Sequence, residues 1–156
     1  MADRLAAHYG VTLRRTLTGF KYIGEQIGQL EREGHPERFL FGFEESYGYL
    51  SGTHVRDKDG VNAVLLICQM ATMYQKAGVT LPEVLNTLYR TYGWYENGQL
   101  VRGVPGVNGM ERMQAQLTAL RRAPPKTLAG MPIEDVWDYA DGRDGLPPAD
   151  MLEFRL

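Results

Sequence analysis

Apolar side chains recur along the chain at spacings that change several times, and each spacing predicts an element. Ala2 to Tyr9 reads as a short helix closed by Gly10. Val11, Leu13 and Leu17 then fall on odd positions, the alternation of a half-buried strand. Thr18-Gly19 turns the chain into a helix whose stripe, Phe20, Ile23, Ile27 and Leu30, is spaced 3, 4 and 3 and runs toward Gly34. Phe39-Leu40-Phe41-Gly42-Phe43 is short, continuous and aromatic, which predicts a strand buried on both faces. Residues 44–60 follow as a long polar connection. Val61 to Ala77 is apolar on nearly every side, so it is expected to be the most deeply packed helix, ended by Gly78.

Thr80-Leu81-Pro82-Glu83 has the spacing of a capping box, and Val84, Leu85, Leu88, Tyr89 and Tyr92 supply the apolar face of the helix it opens. Asn97-Gly98, between Trp94 and Val101, predicts a hairpin. Asn108 with Glu111 then caps a helix expected to turn Met110, Met113, Leu117 and Leu120 inward. Five of the eight prolines lie beyond residue 123, and the periodicity fades into a linker over 124–132. Val136 to Tyr139 and Leu152 to Leu156 are strand-like, the second alternating to the last residue, so the chain looks cut in mid-strand. Together the elements predict an α/β fold class. A layered α/β/α domain with a small mixed sheet would occupy residues 1–123, and a partial α+β piece residues 133–156.

Composition narrows the function. Of 156 residues, 44% are hydrophobic and 23% charged, which excludes collagen, coiled coil and wholesale disorder. Seventeen basic against nineteen acidic side chains give a net charge of −2, so no overall attraction for nucleic acid or an anionic membrane is built in. The longest apolar run, Ala63 to Cys68, falls far short of the ~20 residues of a membrane span. With one cysteine, Cys68, in an apolar helical pattern, the chain reads as cytoplasmic.

The densest chemistry is Glu44-Glu45-Ser46 at the end of a strand. If the segment stays extended, alternation puts Glu44 and Ser46 on one face and Glu45 on the other. Ser46 as nucleophile is disfavoured, because the Gly-x-Ser-x-Gly elbow would need glycine where Glu44 stands and only His54 is near as a base. Asp57 or Asp59 is placed to cap the helix beginning near Val61, which leaves Lys58 to solvent or to the Glu44 loop. His8 and His35 have no neighbouring ligands at metal spacing, so no metal site is expected in this chain. Neither phosphate-loop pattern of glycines occurs.

Three segments in order, Thr18-Gly19-Phe20-Lys21-Tyr22-Ile23, Gly42-Phe43-Glu44-Glu45-Ser46-Tyr47-Gly48 and Arg56-Asp57-Lys58-Asp59-Gly60, resemble the third domain of the α-D-phosphohexomutases, in the phosphoglucomutase/phosphomannomutase branch. The resemblance runs from about Leu5 to Arg122, and Val136 to Leu156 resembles the start of the family's fourth domain. It implies the sugar-binding portion of an intramolecular phosphotransferase that interconverts hexose 1-phosphate and hexose 6-phosphate through a phosphoserine and a bisphosphate intermediate. By that resemblance Glu44, Ser46 and Lys58 bind the sugar, Lys58 also acts near the transferring phosphoryl group, and Thr18, Gly19 and Lys21 form a second loop facing the cleft. A carboxylate suits the task because it accepts from two vicinal hydroxyls at once.

The family's serine loop, Asp-rich magnesium loop and phosphate-gripping loop do not occur in this sequence. The resemblance therefore implies Mg2+ bound outside this chain, glucose 1,6-bisphosphate as activator, hexose phosphate as substrate and the other domains of the same polypeptide as partners. The chain alone is expected to be inactive. The resemblance also places a first strand ahead of Ala2, so that a bare sheet edge could drive self-association. A non-enzymatic carbohydrate-binding module using Glu44, Ser46, Trp94 and Tyr95 is the competing class. A glycoside hydrolase is disfavoured, since neighbouring carboxylates on a strand point to opposite faces while a hydrolase needs two across one bond.

Overall fold

The computed structural model describes every residue from Met1 to Leu156 and divides into two compact units, Met1–Glu96 and Asn97–Leu156. In the first, α1 (Ala2–Tyr9) is closed by Gly10 in the left-handed conformation, and α2 (Phe20–Arg32) begins after Gly19. A short 3-10 turn, Pro36–Arg38, leads into β1 (Phe41–Phe43), which pairs antiparallel with β2 (Tyr49–Ser51) in the register Phe41 to Ser51 and Phe43 to Tyr49. Two helices complete the unit, α3 (Gly60–Lys76) and α4 (Leu81–Tyr92). Glu83 accepts from the Thr80 backbone N–H at 2.7 Å, closing the box that the spacing foretold.

The core of this unit is α2 against the hairpin: Phe20, Ile27 and Leu50 are buried, with Ile23 and Phe39 packed around them. The approach is close because two glycines permit it. A Cβ on Gly24 would lie 2.6 Å from the Arg56 carbonyl oxygen, and one on Gly42 would lie 2.7 Å from the Ile23 methyl.

The second unit holds α5 (Gly109–Arg122), a hairpin of β3 (Thr127–Leu128) with β4 (Met131–Pro132), and an antiparallel pair of β5 (Asp135–Asp138) with β6 (Leu152–Arg155). Arg121 pairs with Asp138 at 3.0 Å and Asp150 at 2.6 Å, tying α5 to the strands. Arg143 and Arg155 flank the Trp137 ring.

The fold is mixed α/β, as the alternation of elements implies, and its three small sheets are all antiparallel pairs. Several local expectations give way. Residues 11–17 form no strand: they find no pairing partner, and their polar side chains reach the helices instead, Arg15 to Asp3 at 2.6 Å and Arg14 to Gln26 at 3.0 Å. β1 is not buried on both faces. It is half of a two-stranded hairpin, with Phe41 and Phe43 each 49% exposed and stacked on the open side. Residues 44–60 are not one connection, because β2 interrupts them.

α3, expected to be the most buried helix, buries none of its side chains. It meets β2 near its first turn, and no element of its unit covers Val64, Leu65 or Ile67. On α5, Met110, Met113 and Leu120 are likewise exposed. Asn97-Gly98 makes no hairpin, and Gly98 lacks the positive φ that such a turn requires. The linker residues 127–132 do form one, turning at Ala129 and Gly130 with φ of 50° and 82°.

Candidate functional site

Glu44 to Gly48 is the turn that joins β1 to β2, closed by the Glu44 N–H donating to the Gly48 carbonyl at 2.9 Å. Tyr47 takes a left-handed φ of 64° to complete it, and its side chain stands free in solvent. The alternation argument for Glu44 and Ser46 fails at this point, since residues 45–47 turn rather than extend. Burial separates the two carboxylates instead. Glu44 folds back under the turn with its side chain only 9% exposed, while Glu45 and Ser46 lie open at the tip.

The fold-back depends on Gly48. A Cβ there would stand 2.8 Å from Glu44 Oε2, 2.9 Å from Lys58 Cδ and 3.4 Å from the Phe20 ring. Three separate segments thus converge on one missing side chain. Lys58 brings its Nζ to 4.0 Å from Glu44 Oε2 and to 3.2 Å from Asp57 Oδ1, with the Phe20 ring 5.7 Å below. The ammonium stays half exposed, so it can donate to a ligand without giving up its carboxylates.

Lys58 is held from behind by a structured junction. Asp59 caps α3, accepting from the Val61 and Asn62 N–H groups at 2.9 and 3.0 Å. Its other oxygen meets His54 Nε2 at 2.9 Å, and its own N–H donates to the Tyr49 carbonyl at 2.9 Å. The His54 contact, followed by the backbone donors, holds the Asp59 carboxyl below the usual aspartate range. Asn62 accepts from the Ser51 N–H at 2.9 Å, so β2 and the start of α3 are joined side by side. On the other flank, Arg56 pairs with Glu31 of α2 and donates to the Thr53 carbonyl at 2.7 Å.

Of the residues singled out in the sequence, Glu44 and Lys58 come together, and the Thr18-Gly19-Lys21 turn adjoins them through Phe20. Lys21 itself lies over Tyr22, 4.8 Å from the ring centroid, and Thr18 is exposed. Trp94 stacks on Tyr89 of α4 rather than on the Glu44 turn. Sequence reasoning missed Gly48 and Phe20 as the floor of the site. It considered His54 solely as a base for Ser46, whereas the ring engages Asp59. No spacing in the sequence announces that pairing, which closes across a bend of five residues. No group of three or more His, Cys, Asp or Glu side chains converges in this chain. No helix is long and apolar enough to cross a membrane.

The mixed α/β unit thus presents a sheltered carboxylate, Glu44, beside a half-exposed ammonium, Lys58. The family model described as phosphoglucomutase/phosphomannomutase, alpha/beta/alpha domain III, matches residues 1–92. The phosphoglucomutase of Staphylococcus aureus (strain bovine RF122 / ET3-1) is 36% identical over 139 residues, covering 89% of this chain and 25% of the relative. That of Staphylococcus haemolyticus (strain JCSC1435) is also 36% identical over 139 residues, with the same shares covered. The chain belongs to the phosphoglucomutase/phosphomannomutase family and contains its third domain. It spans about a quarter of the length of the curated relatives it matches. No solved structure matches it.

Proposed function

We propose that this chain is the sugar-gripping part of a cytoplasmic hexose-phosphate mutase, with Glu44 and Lys58 at its centre. The observation that carries the reading is the convergence of the Glu44 carboxylate and the Lys58 ammonium, 4.0 Å apart, over Gly48. Glu44 accepts from two neighbouring ring hydroxyls, and its shelter makes those bonds stronger than they would be in open water. Ser46 adds a contact from the tip of the turn. Lys58 donates to a ring or phosphoryl oxygen, and Thr18, Gly19 and Lys21 border the sugar from the start of α2.

A mutase that moves a phosphoryl group between the two ends of one hexose must hold the sugar in two opposite senses. Vicinal hydroxyls related by that reversal present nearly the same donors to one carboxylate, so a single grip serves both. The nucleophilic serine, the magnesium ion and the terminal phosphate grip belong to other residues of the enzyme. Glucose 1,6-bisphosphate is its activator, and this chain alone turns over nothing.

The test is kinetic, in the enzyme that contains this domain. Glu44→Gln should lower kcat/KM roughly thirty- to a thousandfold, because a charged acceptor to two hydroxyls is lost. Glu45→Gln should cost far less. Equal losses from the two variants, or turnover by the isolated chain that Ser46→Ala abolishes, would overturn the reading.

A further inference from the structure

We infer that His54 is a positioning residue for Lys58, acting through Asp59. The inference rests on the reading of Glu44 and Lys58 as the sugar grip.

Lys58 lies in a stretch without helix or strand, so the precision of its ammonium depends on the residues fixed on either side. On the N-terminal side Arg56 is pinned to Glu31 and to the Thr53 carbonyl, and its own carbonyl rests against Gly24. On the C-terminal side the anchor is Asp59, whose N–H donates to the Tyr49 carbonyl at 2.9 Å and whose carboxylate makes further contacts. One of its oxygens serves the first turn of α3 and the other meets His54. A carboxylate bound through one oxygen can swing about its side-chain bonds. Bound through both, its plane is set, and it braces the junction at which the Asp59 N–H fixes the Lys58–Asp59 peptide to the Tyr49 carbonyl.

His54 also closes the bend. Gly52, with φ 79°, sends the chain out from β2, and the His54 to Asp59 contact at 2.9 Å brings it back over five residues. The ring is half exposed, and its hydrogen bond runs from Nε2 to Asp59 rather than to Glu44 or Ser46. Its effect on a ligand must pass through the backbone of the loop. A small displacement of a charged donor from its working position is enough to lose rate without loss of fold.

The experiment uses the enzyme that contains this domain, with His54→Ala, His54→Gln, Lys58→Ala and the double variant, each confirmed folded by circular dichroism at the assay temperature. His54→Ala should lower kcat/KM about tenfold, divided between kcat and KM in the same proportion as for Lys58→Ala. His54→Gln should recover most of the loss, since its amide can still donate to Asp59. On the Lys58→Ala background, removing His54 should cost no more than about twofold, because the residue it positions is already gone. A full tenfold loss on that background, or no loss from His54→Ala in an enzyme where Glu44→Gln is strongly impaired, would overturn the inference and leave the grip intact. An enzyme indifferent to Glu44→Gln would remove the grip, and with it the role assigned to His54.

Discussion

Helices α2 and α3 flank the same hairpin and end in opposite surroundings. α2 carries a narrow apolar stripe on an otherwise polar sequence, yet it buries Phe20, Ile27 and Leu30. α3 is apolar almost all round and buries nothing; Val61, Val64 and Leu65 are 82%, 61% and 56% exposed. The difference lies in the elements they face. Gly24 and Gly42 let α2 approach the Arg56 carbonyl and β1 closely enough for its stripe to be enclosed. α3 is tied to β2 through the Asn62 and Asp59 bonds at its first turn, and the rest of its apolar length meets no covering element of the unit. How apolar a helix is and how buried it is are therefore separate quantities, and Glu44 with Lys58 sits against Phe20 at the start of the helix where both agree.

Truncation should separate the two helices most sharply. Ile27 is fully buried, so Ile27→Ala should cost about 2–5 kcal/mol in urea denaturation of the chain. Leu65→Ala on α3 should change stability by no more than about 0.5 kcal/mol, since little apolar surface is removed from contact. A loss at Leu65 as large as that at Ile27 would break the comparison, for it would mean that the α3 face is covered in solution.

The contrast also marks what could be read from the residues. The five helices follow from periodicity and from boundary signals such as the Gly10 stop and the Thr80 box that opens α4, and β5 and β6 from strand-like apolar runs, the second of them alternating. These are local properties of a segment. Pairing and burial are not. Val11, Leu13 and Leu17 alternate as a strand would, but a strand exists only beside a partner, and residues 11–17 have none. The site divides the same way. Glu44 and Lys58 stood out by charge density, whereas the face argument for Glu44 failed because a five-residue turn replaces the extended chain. Gly48, Phe20 and the His54 to Asp59 contact join residues distant along the chain or across a bend, and nothing in their spacing announces them.

A second test sharpens the comparison within α2 itself. Gly24→Ala improves helix propensity, but its methyl meets a carbonyl oxygen at 2.6 Å, backbone that cannot turn aside. The net result should be a destabilisation of about 1–3 kcal/mol. Gly28→Ala on the same helix meets just the tip of the Arg32 side chain at 3.5 Å, so it should stabilise by about 0.5–1 kcal/mol. Opposite signs from two identical substitutions one turn apart would establish that close approach, rather than propensity, governs α2. The same sign at both would mean that the loop around Arg56 yields.

A smaller effect than that of Ile27→Ala is expected where α3 begins. Asp59→Ala removes the cap and the His54 contact together and should lower the midpoint of thermal unfolding by about 2–4 °C at neutral pH. Asp59→Asn keeps an acceptor for the Val61 and Asn62 N–H groups and should retain most of that. The acid limb distinguishes them further. The Asp59 carboxyl titrates below its ordinary value of 3.8 in the folded chain, with His54 as the largest cause and the backbone donors behind it. A depressed carboxylate contributes stability that is fully present above the ordinary value and is lost as pH falls through the folded one. Above about pH 5, wild type should therefore stand above Asp59→Ala, and the margin should shrink below about pH 4 as the carboxylate takes up its proton. Asp59→Asn has no charge to lose at that position, so its melting temperature should approach that of wild type in the same acid range. A margin over Asp59→Ala that stays undiminished down to pH 2 would show that the charge on Asp59 contributes nothing, and that the side chain caps the first turn of α3 equally well when protonated.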